Sequence, residues 1–382
     1  MAYRLSDMKK VLVIGGAGYV GCVLVDELLA KGYSVRVLDR LFFGREPAEG
    51  FLDRVELVEE DMREFSPAHV EDCSAVINIG GLSNDPTAEF NPRANEEMNT
   101  HASVKVAEVA REAGVSRLIF ASTASIYDRG VGEEARDLLL DEEAPVEPRA
   151  AYATSKLAAE RGILPLASED FAPVAFRQGT VFGFSPRMRY DLVVNTFVKD
   201  ALAEGVLHVF YGGEMWRPLI DVKDVARAYV TALESDADLI SGQIFNLAAG
   251  NFRISELALR TQRALHELGV EVELDIDYSY RLVRSYRISS QRVQRVLGFT
   301  PRISLEESVR RIVEQIRRRG YTDFSHPRYY NIEWMKLLEQ TVGVLSRHRY
   351  VLEKPGWRER SSTREAEEGV ARLPSGRVRP AG

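Results

Sequence analysis

The chain has 382 residues, a formal net charge of −7, 45% hydrophobic residues and 28% charged residues. A negative charge balance offers no basic footprint for nucleic acid, and no stretch reaches the roughly 18 continuous apolar residues of a membrane helix. The length is comfortable for two domains with ample cores, so the sequence predicts an ordinary soluble globular protein.

The two cysteines, Cys22 and Cys73, are far apart and form no CxxC motif. We interpret them as small buried hydrophobic residues, and this usage predicts a reduced cytoplasmic protein. The histidines are scattered without the spacing of metal ligands, so no metal site is expected.

The first predicted element is the strand VLVI at residues 11–14, a short block typical of a parallel strand buried on both faces. The run breaks into GGAGYVG too early for a secretory signal, and Gly15, Gly18 and Gly21 lead into a helical pattern. In a strand–turn–helix unit, glycines let the backbone approach a pyrophosphate, and the helix N-terminus binds its charge. The sequence therefore favours a dinucleotide site over an ordinary turn.

The second predicted strand, in SVRVLDR, ends at Asp39, at the distance of about 20 residues that completes a dinucleotide-binding fingerprint. A carboxylate there accepts hydrogen bonds from both ribose hydroxyls and repels a 2′-phosphate, which favours NAD over NADP. Arg40 follows directly and keeps NADP open as a minority alternative.

The first half of the chain alternates strands with helices, which predicts a doubly wound parallel Rossmann sheet in an α/β protein. Helices are predicted notably at 94–113 and 150–162. The predicted strands lie near residues 11–15, 34–39, 55–58, 75–79, 117–121 and 173–177.

The second half is less regular and predicts a smaller α/β substrate-binding domain. It holds a short strand LHVFY, a helix DVKDVARAYVTAL, a strand IFNLAAG, a strand VELDI and helices near 255–268, 289–297 and 304–319. We assign residues 1–177 and about 221–248 to the NAD-binding domain, and residues 178–220 and 249–345 to the substrate-binding domain. Residues 346–382 are charged and are expected to be disordered or a packing arm.

The chemistry is suggested by AYATSKLAAE, where Tyr152 and Lys156 are four residues apart and share one helix face. An ammonium near a phenol favours the phenolate, so the phenol can act as a base closer to neutral pH. The preceding strand ends in FASTASIY, which places the hydroxyls of Ser122, Thr123 and Ser125 at the carboxyl edge of the sheet. A helix with a surface lysine and a half-buried tyrosine is the alternative.

These motifs resemble the extended short-chain dehydrogenases/reductases, in the branch that acts on nucleotide sugars. The resemblance spans roughly residues 10 to 320 and rests on several motifs in chain order: GGAGYVG, EEDMRE, ASTASIY, YATSK, FRQGTVFG, WRPLIDVKDVARA and RSYRISSQRVQRVLGFTP.

The resemblance implies that Tyr152 is the catalytic acid/base, that Lys156 is its partner and ribose anchor, and that Thr123 bonds the sugar oxygen. It also implies NAD as cofactor, a nucleotide-diphosphate sugar as substrate and a homodimer. The residues expected to bind the cofactor are Gly15, Gly18, Tyr19, Val20, Gly21, Asp39, Arg40, Asp61, Met62, Gly80, Asn99, Tyr152, Lys156 and Gln178. For Asn99, a solvated or capping amide is an equal alternative. The residues expected to bind the substrate are Ser83, Thr123, Thr180, Asn195, Arg217 and Arg284. Arg187 and Arg189 are alternatives for the diphosphate, although a loop with two arginines is more often solvated.

Departures from the family pattern narrow the reaction. The family's 4,6-dehydratases have Asp-Glu after the active-site threonine, and decarboxylating relatives have a glutamate at the second place, whereas this chain has Ala124 and Ser125. Asn78 replaces a histidine after strand four, and Thr180 replaces an asparagine that many epimerases have, so the identity of the sugar stays open. Without the usual carboxylates, the expected activity is a 4-epimerase. The alternatives are a keto-sugar reductase or dehydrogenase and, less favoured, a non-catalytic dinucleotide sensor or scaffold.

Overall fold

The structure is a computed structural model that describes residues 10–128, 138–279 and 285–347, with side chains described up to residue 344. A boundary between two compact units falls between Trp334 and Met335, and all the strands lie in the first unit. None of the described helices is long and apolar enough to cross a membrane.

The strands of the described residues are β1 (Lys10–Ile14), β2 (Ser34–Leu38), β3 (Glu56–Val58), β4 (Ala75–Asn78), β5 (Arg117–Thr123), β6 (Leu139–Leu140), β7 (Ala172–Gln178), β8 (Thr180–Phe182), β9 (Val206–Val209), β10 (Trp216–Asp221), β11 (Gln243–Leu247), β12 (Gly250–Arg253), β13 (Glu273–Ile276) and β14 (Arg287–Ile288).

The α-helices of the same residues are α1 (Tyr19–Ala30), α2 (Asp85–Phe90), α3 (Pro92–Glu96), α4 (Ser103–Glu112), α5 (Ala151–Ile163), α6 (Val193–Glu204), α7 (Val222–Glu234), α8 (Ala237–Ile240), α9 (Ile254–His266), α10 (Gln291–Leu297), α11 (Leu305–Arg319) and α12 (Asn331–Arg347).

The main sheet is parallel throughout and has the strand order β3-β2-β1-β4-β5-β7-β11. From β1 the chain first builds outward through β2 and β3 and then returns to place β4 on the other side of β1. This reversal opens a crevice at the carboxyl ends of β1 and β4, where doubly wound proteins bind ligands. The expected α/β fold with a Rossmann sheet is confirmed.

Both faces of this sheet are covered because alternate residues of each strand point to opposite sides. Val13 belongs to the core on the face that α1 and α7 cover, together with Val25 and Val225. Its neighbour Leu12 belongs to the core on the face that α4 and α5 cover. Ile14 at the end of β1 pairs with Asn78 at the end of β4, and Asn78 pairs with Phe120 of β5. Strand β5 continues for three residues beyond Phe120, to Thr123. The end of β5 therefore projects beyond the edge of β1 and β4.

The second half of the chain forms smaller sheets around a separate core. Strand β8 pairs with β10 in parallel and β12 pairs with β10 antiparallel, while β9 pairs with β13. Phe197 of α6, Leu257 of α9 and Ile312 of α11 are buried in this core.

The predicted strands of the first half are all present, and the helices predicted in the second half match α7, α9, α10 and α11. The helix predicted at 94–113 is real but is interrupted by a π-helical turn, Glu97–Ala102, between α3 and α4. Helix α12 has no counterpart among the predicted elements. It continues past the start of the predicted tail at residue 346, and the rest of that tail, 348–382, lies outside the described residues.

Candidate active site

The glycine turn between β1 and α1 is shaped for an anion. Gly15 has a φ of +82°, and a Cβ on it would lie 2.9 Å from the Cα of Gly80, so a side chain is excluded on both counts. A Cβ on Gly21 would lie 2.2 Å from the Gly15 carbonyl oxygen, because α1 packs directly on the turn. Helix α1 starts after Gly18 with no side-chain cap, which leaves its first N–H groups available for phosphate oxygens.

Asp39 is held in place by two backbone N–H groups. Its Oδ2 accepts from Ala17 N at 2.9 Å and its Oδ1 accepts from Leu41 N at 2.8 Å. Burial raises the pKa of Asp39, and these two hydrogen bonds oppose that shift. The carboxylate thus stands at the end of β2, beside the glycine turn, where the fingerprint expects the adenosine ribose.

Arg40 turns away from Asp39 and pairs with Asp61, with 2.9 Å between Nη1 and Oδ2. Asp61 also forms an ion pair with Arg63, with 2.7 Å between Oδ2 and Nη2, and its side chain caps the short helical turn that begins at Met62. Burial raises the pKa of Asp61, but the hydrogen bonds from Arg63 and the charge of Arg40 bring it below its usual range. Because the charge of Arg40 is balanced by Asp61, the structure gives the NADP alternative little support. Met62 is buried with its sulfur beside Gly80.

The loop after β4 forms the other wall of the crevice. Asn78 is fully buried, and its Oδ1 accepts from Gly80 N at 3.2 Å. Asn99, in the π-helical turn, accepts from Leu82 N and donates to Leu82 O, both at 2.9 Å. A Cβ on Gly81 would lie 2.2 Å from the Asn99 Oδ1. Asn99 is therefore a buried residue that fixes the loop after β4 through two hydrogen bonds to Leu82. It is neither solvated nor a helix cap, the two alternatives that the sequence left open.

Tyr152, Lys156 and Glu160 lie along one face of α5, four residues apart. The Thr123 hydroxyl lies close enough to the Tyr152 phenol to lower its pKa, and Thr123 Oγ1 accepts a hydrogen bond from Ser125 N at 3.1 Å. The Lys156 Nζ lies 4.8 Å from the centre of the Phe120 ring and is buried. The spacing read from the sequence thus brings the three expected catalytic residues to the end of β5.

The acidity of these groups differs from the expectation. Burial and the negative charge of Asp85 raise the pKa of Tyr152 to about 12, and Arg189 is the cation that opposes this. Burial lowers the pKa of Lys156 to about 8, against the attraction of Glu160. The expectation of a phenol pKa closer to neutrality is not met, because desolvation raises the pKa of Tyr152 and Arg189, not Lys156, is the cation that opposes the shift.

A buried ion pair behind Lys156 was missed by the sequence analysis. Glu160 and Arg177 are both almost fully buried and bonded, with 2.8 Å between the Arg177 Nη2 and a Glu160 oxygen. Arg177 also donates to the Tyr127 hydroxyl at 2.9 Å, and Tyr127 donates to Asn246 at 2.8 Å. The only signal in the sequence is that Glu160 continues the four-residue spacing of Tyr152 and Lys156.

Arg187 and Arg189 are 3% and 7% exposed, so the expectation of a solvated loop is wrong. Arg189 forms a two-pronged pair with Asp191 at 2.8 and 2.9 Å and reaches Ser83 Oγ at 3.4 Å. Arg187 lies 3.5 Å over the Phe43 ring, and burial together with repulsion from Arg189 lowers its pKa to about 9.

The remaining expected substrate residues are dispersed. Asn195 is fully buried, and its amide bonds Gly183, Tyr19 and the Arg189 carbonyl, so it joins parts of the chain instead of presenting a free amide to a phosphate. Thr180 opens β8 opposite Leu219 of β10. Arg217 lies on β10 and donates to the Trp216 carbonyl at 2.8 Å, whereas Arg284 lies outside the described residues.

The cofactor-binding set fits a dinucleotide. The glycine cradle and the uncapped α1 face the same edge as Asp39. Gln178 ends β7 level with Thr123, and within the described part of the chain its buried Oε1 has no hydrogen-bond partner. Tyr19 and Val20 form the first turn of α1, where Tyr19 donates to the Gly183 carbonyl at 2.6 Å.

Comparison with known proteins agrees with this geometry. The family model described as the NAD dependent epimerase/dehydratase family matches residues 11–248. The UDP-glucose 4-epimerase of Mycolicibacterium smegmatis is 29% identical over 334 residues, which cover 81% of this chain and 99% of that relative. The UDP-glucuronic acid decarboxylase 1 of Xenopus tropicalis is 29% identical over 237 residues, and the match spans 60% of this chain and only 55% of that relative.

Solved structures give the same result. MoeE5 in complex with UDP-glucose and NAD is 26% identical with a TM-score of 0.69, and the match covers 81% of this chain and 99% of that one. The UDP-glucose 4-epimerase of Thermus thermophilus in complex with NAD is 26% identical with a TM-score of 0.67 over the same shares. The chain therefore belongs to the NAD dependent epimerase/dehydratase family, in the nucleotide-sugar branch of the extended short-chain dehydrogenases/reductases, and is an NAD-dependent enzyme.

Proposed function

We propose that the protein is a nucleotide-sugar 4-epimerase. The observation that carries the proposal is the Thr123 hydroxyl beside the Tyr152 phenol, together with Ala124 and Ser125, which follow Thr123 in the chain and have no carboxylate. Elimination and decarboxylation need an acid at these places in the relatives that perform them. Hydride transfer to NAD with proton exchange at one hydroxyl needs no side-chain acid or base other than Tyr152, with Thr123 as its hydrogen-bonding partner for the sugar oxygen.

In this mechanism the Thr123 hydroxyl hydrogen-bonds the sugar oxygen. Tyr152 removes the proton of that sugar hydroxyl and later returns it. The glycine turn, Asp39 and Lys156 would hold NAD, which would supply reversible hydride transfer at the sugar carbon and a positive ring that favours ionised Tyr152. Between the two hydride transfers the keto sugar rotates, so that the hydride returns to its opposite face. The pKa of about 12 for Tyr152 means that the phenol is protonated when the site is empty, so the base forms only in the complex.

The substrate we propose is a nucleotide-diphosphate sugar, supported by Arg217 on β10 and by the binding of UDP-glucose in MoeE5. We assign the sugar to residues 178–220 and 249–345 and the cofactor to residues 1–177 and about 221–248. We also propose a cytoplasmic homodimer, in line with the buried free thiols of Cys22 and Cys73.

Asp85 supports a second candidate, the elimination of water from the sugar. Its negative charge raises the pKa of Tyr152, and its carboxyl group would supply the acid that positions 124 and 125 lack. Product analysis by NMR separates the two. A 4-epimerase inverts one carbon and loses no water or carbon dioxide, it needs no added NAD beyond what it binds, and a deuterium at the inverted carbon stays in the product. Steady release of NADH would instead identify a dehydrogenase.

The acid/base assignment is tested with Tyr152→Phe, which keeps the ring and removes the proton carrier. Turnover should fall by about 10²–10⁴-fold, while melting temperature and NAD content stay close to those of the wild type. The matched control is Tyr33→Phe, since the Tyr33 hydroxyl donates a long hydrogen bond of 3.5 Å to Glu234, away from the site. Near-normal turnover of Tyr152→Phe on a panel of UDP-sugars would overturn the assignment.

A further inference from the structure

A short segment after α11 contacts several loops at the carboxyl edge of the main sheet. We call residues 326–334 the clasp. It follows the motifs shared with the family, which end before residue 320. It begins at His326, whose ring accepts from Arg328 N at 3.1 Å, and it ends at Trp334 in the first turn of α12.

The clasp contacts the loop that follows β2 and Asp39. The Trp334 indole Nε1 donates to the Phe42 carbonyl at 2.5 Å, and its ring is stacked on Phe43 with 6.4 Å between centroids and 27° between planes. Arg328 lies 4.0 Å from Glu46 of the same loop.

Asn331 of the clasp contacts two further loops. Its Nδ2 donates to Ser83 Oγ at 2.7 Å, in the loop after β4, and its Oδ1 accepts from Arg187 Nη2 at 2.5 Å, in the loop after β8. Asn331 is 6% exposed, so both hydrogen bonds are shielded from water. Arg187 in turn lies over Phe43, against which Trp334 stacks, so Arg187 and Phe43 connect the two ends of residues 331–334.

These loops are the ones that border the dinucleotide crevice. The loop after β2 follows the carboxylate expected to bind the adenosine ribose, and the loop after β4 begins at Gly80, against the glycine turn. The loop after β8 reaches α1, where Arg189 lies 6.0 Å from the Tyr19 ring. A ligand that extends from Asp39 to Lys156 would lie along this edge, beside all three loops.

We propose that the clasp locks these loops around bound NAD and keeps the dinucleotide in the protein from one turnover to the next. Asn331 and Trp334 are then positioning residues that act through the loops and touch neither the sugar nor the reacting atoms. Retention suits a reaction that restores its cofactor in every cycle, but the proposal concerns NAD release alone and holds for any reaction that this site performs.

The test measures NAD release from the full chain without sugar. Protein loaded with NAD is freed of excess dinucleotide, mixed with isotopically labelled NAD, and sampled over time by mass spectrometry after denaturation. Asn331→Ala should release NAD at least about tenfold faster than the wild type, because it removes a hydrogen bond to each of two loops. Asn331→Asp keeps the acceptor for Arg187 and loses the donor to Ser83, so its rate should lie between the two.

Trp334→Phe keeps the stacking on Phe43 and loses only the indole N–H, so it should speed release by a smaller factor, about two- to fivefold. Ser325→Ala is the matched control and should release NAD at the wild-type rate, since among the described residues the Ser325 hydroxyl donates a hydrogen bond only to Asp323 of its own loop, at 3.0 Å. Thermal melts of NAD-free protein identify any variant that is generally unstable, and Asn331→Asp serves if Asn331→Ala does not fold.

The proposal is overturned if folded clasp variants and wild type release NAD at the same rate, or if Ser325→Ala accelerates release as much as Asn331→Ala. Because no sugar is present, these outcomes do not depend on whether the protein is a 4-epimerase.

Discussion

The Asp39 carboxylate accepts a hydrogen bond from the Ala17 backbone N–H at 2.9 Å, and this contact joins the end of β2 to the glycine turn after β1. Its other oxygen accepts from Leu41 N at 2.8 Å. The carboxylate that the fingerprint assigns to the ribose therefore also joins the end of β2 to the turn that is expected to bind the pyrophosphate.

We predict that Asp39→Ala weakens NAD binding by about tenfold or more, because it removes a ribose acceptor and frees the N–H groups of Ala17 and Leu41. NADP binding should fall less, because the repulsion of its 2′-phosphate disappears as well. Calorimetric titration with both dinucleotides measures the two effects. The exposed Asp53 provides the control Asp53→Ala, and a wild type that binds NADP more tightly than NAD would contradict the assignment.

Lys156 should reduce the stability of the protein when the cofactor is absent. With a pKa near 8 in the fold against 10.5 in the unfolded chain, Lys156 binds more protons unfolded than folded between these values. Stability therefore rises as the pH passes from 8 toward 10.5, and the cost of the buried charge is complete below pH 8. Lys156→Met should raise the free energy of unfolding by on the order of 2 kcal/mol at pH 7.

The gain should fade as the pH approaches 10, and it should come with lower turnover and weaker NAD binding. Denaturant unfolding of NAD-free protein at pH 7 and pH 9.5 checks the difference. Lys223→Met, at an exposed position of α7, should show neither effect. A Lys156→Met protein that is less stable than wild type at pH 7 would show that the Lys156 charge is well compensated by Glu160 and Phe120.

The buried pair of Glu160 and Arg177 supports Lys156 from behind. Glu160→Gln leaves the Arg177 guanidinium buried without a counter-charge, so we predict a loss of about 3–5 kcal/mol in the free energy of unfolding. The double variant Glu160→Gln/Arg177→Met should recover part of that loss, because no unpaired charge remains. Denaturant unfolding measures both, with the exposed Glu169→Gln as control. A loss below 1 kcal/mol in Glu160→Gln would contradict the account.

The sequence alone determined the fold class and the local parts of the site. The glycine turn, Asp39 at the end of β2, and Tyr152 with Lys156 on one helix face were all predicted, because each depends on spacing within a strand, a turn or a helix. Thr123 was placed correctly because parallel strands end at a common edge.

The tertiary structure alone decided which distant groups meet and how strongly they are shielded from water. Asn331 and Ser83 are 248 positions apart in the sequence, and Asn331 and Arg187 are 144 positions apart. No local sequence pattern could therefore predict the contacts of the clasp. Contacts between distant parts of the chain also explain why Arg187 and Arg189 are buried. The same kind of contact explains why the amides of Asn195 and Asn99 are hydrogen-bonded within the protein. The acidity of Tyr152 shows the physical reason: the four-residue spacing to Lys156 is local, but desolvation is set by every element packed around the phenol, and desolvation is the larger effect.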